Sequence, residues 1–173
     1  MTPQLQKGKH TRSGIAMPNV FGIVVHWLGN AGQGPGGLIR YFDSIRDTGP
    51  RYASYHYVID FDGNVVCLIP EDEVAWHAGP SDKTRQVIRD TLPRLPNWCT
   101  VGVAICHKEW TGQPTAKTES SLVALCLDVC NRHRLTSNRV FRHNDITGKI
   151  CPKWYVDNPD RWLALRGEIA KHL

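Results

Sequence analysis

The run Phe21-Gly-Ile-Val-Val-His-Trp27, with Gly29-Asn-Ala-Gly-Gln-Gly-Pro-Gly-Gly37 close behind it, decides the fold. The first segment is apolar and β-branched without alternation, the pattern of a strand covered on both faces. The second holds five glycines and a proline, so it reads as a loop leaving the sheet edge, where sites in α/β proteins commonly form. Leu38, Ile39, Phe42 and Ile45 then recur at helical spacing and give a short amphipathic helix to about Arg46. Strand, loop and helix make one α/β unit, and His26 stands at the strand's C-terminal end.

Upstream, residues 1–18 are polar, carry Pro3, Gly8, Gly14 and Pro18, and show no period; they are expected as an arm lying on a domain that spans 19–173. Downstream, Tyr55 to Asp60 and Asn64 to Ile69 are β-rich runs joined at Asp62-Gly63, a hairpin ended by Pro70. Residues 71–96 read mostly as loop, with a helical turn near Arg85 to Leu92. Thr100-Val-Gly-Val-Ala-Ile-Cys106 is another buried strand. Glu119 to Arg134 is an amphipathic helix with Thr118 as its cap, Val140-Phe141 a brief strand, and Asn158-Pro159 the start of a last helix burying Trp162, Leu165 and Ile169. The order predicts a single α/β domain, a central mixed β-sheet flanked by helices.

At 173 residues the chain is one domain by length, and 41% hydrophobic with 21% charged residues fits a globular protein. Its apolar runs fall short of a membrane span, and the N-terminus, with Lys7, Lys9, His10 and Arg12, has no apolar stretch behind them, so neither membrane nor signal peptide is expected. The chain is therefore expected to be made in the cytoplasm, where six cysteines point to free thiols rather than disulfides. On the helix face of residues 119–134, Cys126 and Cys130 read as buried thiols. A formal charge of +5 and a pI near 9.0 suit an anionic polymer. No basic run interleaved with aromatics occurs, so nucleic acid is not expected. Nothing in the pattern calls for more than a monomer.

Chemistry concentrates in Phe141-Arg-His-Asn-Asp-Ile-Thr-Gly-Lys-Ile-Cys-Pro152, which brings His143, Lys149 and Cys151 together. Imidazole and thiolate are both zinc ligands, and their spacing, broken by Thr147 and Gly148, suits a strand end plus loop. A third ligand must come from elsewhere, and His26 is the best candidate. Three protein ligands make a catalytic zinc site and four a structural one; Cys106 or His107 would be the fourth.

Five ordered motifs resemble those of the zinc N-acetylmuramoyl-L-alanine amidases of the amidase-2 type, which include phage endolysins, bacterial autolysins and peptidoglycan recognition proteins. They are Ile23-Val-Val-His-Trp-Leu-Gly-Asn30, Ala53-Ser-Tyr-His-Tyr-Val-Ile-Asp-Phe-Asp-Gly63, Ala75-Trp-His-Ala-Gly79, Val101-Gly-Val-Ala-Ile-Cys106 and Arg142 to Pro152. The resemblance covers about Arg12 to Trp162. It implies an amidase-2 / peptidoglycan-recognition-like fold and one Zn2+ on His26, His143 and Cys151. It also implies Lys149 as oxyanion stabiliser, and a peptidoglycan substrate cut at the amide between N-acetylmuramic acid and L-alanine, after release or export to the cell wall. Further implied substrate contacts are His77, Asn30 and the groove-lining Trp76, while Trp98 and Trp162 are expected in the core.

One position departs from the pattern. Many family members carry a glutamate general base in Gly-Val-Glu-Ile-Cys, where this chain has Ala104. Some phage members use a tyrosine at the start of the hairpin motif, and Tyr55 stands there. Three readings stay open: an attenuated or deliberately disabled variant, a tyrosine-assisted amidase, and a zinc-containing recognition module that binds peptidoglycan without cutting it.

Overall fold

The computed structural model describes residues 2–173. Five strands, β1 (Gly22–Trp27), β2 (Tyr57–Ile59), β3 (Val65–Cys67), β4 (Thr100–Ile105) and β5 (Val140–Arg142), form one sheet in the order β3-β2-β4-β1-β5. All neighbouring pairs are parallel except the β2–β3 hairpin. Six helices, α1 (Pro35–Ile45), α2 (Gln86–Thr91), α3 (Ala116–His133), α4 (His143–Thr147), α5 (Lys153–Asp157) and α6 (Pro159–Lys171), complete the α/β domain.

The lack of alternation in β1 and β4 has the expected cause: both faces are covered. Ile23, Val25, Val101, Val103 and Ile105 pack under α3 and α6, against Leu122, Cys126, Val129, Trp162, Leu165 and Ile169. On the opposite face, Val58, Ala104 and Cys106 pack under α1, against Leu38, Phe42 and Ile45. Val24 packs with Ile88, Phe141 and Ile146 from α2, β5 and α4. His26 lies on this second face between Val24 and Leu28, which belong to different apolar clusters. The seam between the clusters is where polar side chains gather.

Three local expectations shift. Helix α1 begins at Pro35, inside the glycine run, because proline at the first helical position supplies a pre-set φ and lacks only an N–H that would have no helical partner. Helix α3 begins at Ala116, and its cap is Thr115, whose Oγ1 accepts from the Thr118 amide at 3.1 Å, while Thr118 donates to the Asp60 carbonyl. The segment after His143 is not plain loop but α4, closed at Gly148 with φ of +83°. The arm follows β3: Gln4 and Leu5 amides bond to the carbonyls of Cys67 and Leu68, Leu5 and Met17 are buried, and Arg12 forks onto Glu73 at 2.8 and 2.7 Å. All six cysteines are free and buried.

Candidate metal centre

Three elements deliver the donors. His26 is the penultimate residue of β1, His143 opens α4, and Cys151 follows α4 in a loop folded back on its N-terminus. Asn144 makes that fold: its amide bonds the Cys151 carbonyl at 2.8 Å, and its side chain donates to the carbonyls of Gly148 and Lys149 at 3.2 and 2.9 Å. The donor atoms of His26, His143 and Cys151 lie within 4.8 Å of one another, and all three residues are buried. Cys151 Sγ is 3.8 Å from His26 Nδ1.

Burial keeps all three donors of this cluster uncharged in the metal-free chain. Burial pushes the Cys151 thiol up to about 11, against the opposing pull of the Trp27 amide and the Lys149 charge. Burial, then the Lys149 charge, holds His143 down at about 4, and burial holds His26 and His77 well below the usual imidazole range. Neutral rings present lone pairs, and a cysteine would coordinate a metal as the thiolate, its proton released to solvent. Two imidazoles and a sulfur are a borderline-soft donor set that fits zinc, and their number is that of a catalytic site. Among the described residues no fourth donor joins them: Cys106 is in the apolar layer under α1, and both ring nitrogens of His107 face carbonyls, of Glu109 and Leu28.

Around the cluster, the Tyr55 ring is 5.0 Å from the His26 ring, and burial raises its phenol so that it stays protonated at neutral pH. Lys149 is exposed, and among the described residues its ammonium has no hydrogen-bond or ion-pair partner. Ala104 is fully buried and is the register partner of His26.

Two of the expected substrate contacts, His77 and Asn30, already have partners within the chain. His77 is buried behind His26, and both of its ring nitrogens are engaged, one with His26 Nε2 at 3.1 Å and one with the Thr100 carbonyl at 3.1 Å. Its ring therefore has no nitrogen left for a ligand. Asn30 sits in an exposed turn, bonded to Gln33 at 3.2 Å. Trp76 does line a groove, of about 950 Å³, together with Ile15, Tyr52, Leu95 and Trp98, and with Lys9 and Arg51. The expectation of a core Trp98 is corrected: it is 37% exposed, because the short 3₁₀ turn Pro96–Trp98 turns its ring towards Trp76, 6.1 Å between centroids. Trp162 is in the core as expected. The groove reaches the cluster through Gly79, where an added Cβ would lie 3.9 Å from His143 Nε2. Tyr52, Asn97 and Thr100 carry no signal in the sequence, because their roles depend on contacts distant along the chain.

The fold and donor set define an α/β domain with a buried cluster of three donors that could hold a metal ion, beside an aromatic groove. Residues 16–154 match the family N-acetylmuramoyl-L-alanine amidase (Amidase_2). The N-acetylmuramoyl-L-alanine amidase CwlL of Bacillus licheniformis is 32% identical over 162 residues, which cover 93% of this chain and 44% of that protein. BlyA of Bacillus subtilis (strain 168), of the same name, is 29% identical over 167 residues, with the same coverage. Among solved structures, the catalytic domain of XlyA superposes with a TM-score of 0.73 at 23% identity, covering 95% of each chain, a likeness of fold. The chain belongs to the N-acetylmuramoyl-L-alanine amidase family. It spans less than half the length of these two curated relatives.

Proposed function

We propose that this chain is a zinc-dependent peptidoglycan amidase that hydrolyses the bond between N-acetylmuramic acid and L-alanine. The observation that carries the reading is the buried cluster of His26, His143 and Cys151, three donors converging within 4.8 Å. Zinc held there would polarise the scissile carbonyl and bring the pKa of a water towards neutrality. The chain's own groups do the rest. Lys149, free of partners and close enough for its charge to bear on all three donors, offers an ammonium to the oxygen that becomes negative in a tetrahedral intermediate. Tyr55, kept protonated by burial, serves as a hydrogen-bond donor and not as a base. The groove of Trp76, Tyr52 and Trp98 offers an apolar wall for the substrate, with Lys9 and Arg51 for its carboxylates.

The methyl group of Ala104 cannot accept a proton, and this favours a second reading, a recognition module that binds the muropeptide without turnover. Losing a general base typically costs roughly 10²–10⁴-fold in rate. The deciding experiment measures stem peptide released from purified peptidoglycan with zinc present, for this chain and for Ala104→Glu, after confirming one zinc per chain in each. Release by either protein supports the amidase. Strong acceleration by the glutamate identifies this chain as an attenuated enzyme, whereas equal rates leave the chemistry to Tyr55 and Lys149. Binding without release from both would establish the recognition module.

A further inference from the structure

The segment Trp76–Gly79 touches both histidine donors from behind. His77 Nε2 lies 3.1 Å from the Thr100 carbonyl, which can only accept, so Nε2 carries the proton of the neutral ring. The nearby Thr100 hydroxyl is spent on the Pro96 carbonyl at 2.7 Å. His77 Nδ1 is then a lone pair, and the nitrogen facing it at 3.1 Å, His26 Nε2, must donate. The tautomer of His26 is thereby fixed with its lone pair on Nδ1, the atom 3.8 Å from Cys151 Sγ. One residue further on, the Ala78 backbone is near enough to the ring of His143 to favour its protonated form, against the larger effect of burial.

The segment is itself pinned. Asn97 Oδ1 accepts from the amides of both His77 and Ala78, at 3.0 and 2.7 Å, and Asn97 Nδ2 donates to the Gly79 carbonyl at 3.2 Å. At the other end, the Trp76 amide donates to Ser54 Oγ at 2.9 Å. The His77 ring lies against Gly102 of β4, where an added Cβ would come within 2.6 to 2.9 Å of three ring atoms. Glycine at 102 is thus a space requirement of His77, and Asn97 an anchor of the backbone that carries it.

We propose that His77 is a positioning residue for the metal centre: it sets the tautomer and ring orientation of His26 through the Thr100 carbonyl, and Asn97 and Gly102 hold it in place. The role rests on the metal-site reading above, and it differs from substrate contact. It also makes the groove wall and the metal centre one mechanical unit, because Trp76 and Gly79, which line the groove, flank the residues that support the ligands.

The test reads metal binding, with no substrate present. Zinc affinity is measured by competition with a chromophoric chelator for the full chain and for His77→Phe, His77→Gln and Asn97→Ala. Cobalt(II) absorption reports coordination geometry, and apo-protein melting identifies any variant that fails to fold. Outer partners of metal ligands typically contribute about 10–100-fold in affinity. His77→Phe is expected to lose that much and to alter the cobalt spectrum. His77→Gln, whose amide can accept from His26 and donate to Thr100, should recover most of the loss. Asn97→Ala should fall between the two. The proposal is overturned if the wild type binds zinc tightly and a folded His77→Phe binds it equally well with the same cobalt spectrum, or if a folded His77→Gln is as defective as the phenylalanine variant. If the wild type takes up neither metal, the metal-site reading itself fails and this inference falls with it.

Discussion

His26 and Ala104 are register partners on adjacent parallel strands, so their side chains leave the sheet on the same face. The methyl group of Ala104 leaves the sheet beside His26 and Val58 and is sealed beneath Leu38 and Phe42. A glutamate there would have to open that layer while aiming its carboxyl at the cluster. Ala104→Glu is therefore expected to cost about 1–3 kcal/mol of stability through overpacking, whatever it does to the rate. Ala104→Gln, with similar volume and no proton-accepting carboxylate, should show a similar loss of thermal midpoint without any gain in peptide release. A rate gain in the glutamine variant would show that filling space, rather than accepting a proton, is what position 104 supplies.

Among the described residues the Lys149 ammonium has no partner to lose. Lys149→Met should leave zinc content and thermal midpoint unchanged and lower kcat by roughly 10²–10³-fold, the usual effect of removing an oxyanion donor. Metal analysis alongside single-turnover kinetics separates this from a ligand defect. An unchanged rate would place the ammonium in solvent, away from the reacting oxygen.

Trp98 faces the groove, with Trp76 6.1 Å from it and Tyr52 5.4 Å from Trp76 on the same wall. Truncating a buried aromatic contact commonly costs more than 1 kcal/mol of binding. Trp98→Ala is expected to raise KM about tenfold with zinc affinity unchanged. A fall in kcat with constant KM would mean that the ring acts on the chemical step and not on substrate capture.

Strands β1 and β4 and helices α3 and α6 are legible in the sequence because a β-branched run without alternation, or a repeat at helical spacing, reflects burial that the strand or helix needs. The clustering of His26, His143 and Cys151 is legible because His143 and Cys151 lie close in sequence and His26 stands near the C-terminal end of an obvious strand. What could not be read depends on contacts between distant segments. Nothing in Ala-Trp-His-Ala-Gly says that His77 will meet a carbonyl 23 residues away, or that the amide of Asn97 will cap its backbone. Trp98 was expected in the core because large aromatics usually are, and only the turn at Pro96 reverses that. The start of α1 was hidden because glycine-rich runs normally break helices, whereas here Pro35 begins one.

Acid should lower the stability of the metal-free chain through two overlapping pH windows. His56 is fully buried, its Nδ1 accepting from the Gly102 amide and its Nε2 donating to the Glu73 carbonyl, both at 2.9 Å, and burial holds it down at about 4. The native state thus refuses a proton that the unfolded chain accepts below about 6.5, so its share of stability is lost as pH falls from about 6.5 through 4. The neutral cluster histidines add to the same upper window. Glu71 governs a lower one. Burial works against its ionisation, but hydrogen bonds from Arg132, His133 and Tyr57 outweigh that and hold it at about 2, against an ordinary value of 4.5. A depressed carboxylate stabilises above its unfolded pKa and loses that stability as pH falls from 4.5 through 2. With Arg132 partly in solvent, the contribution at neutral pH is on the order of 2 kcal/mol. Thermal midpoints of the wild type and Glu71→Gln, measured in chelator from pH 8 to pH 2, should run parallel down to about 4.5 and converge below it. Parallel curves throughout would show that the link between the hairpin and α3 does not depend on the charge of Glu71.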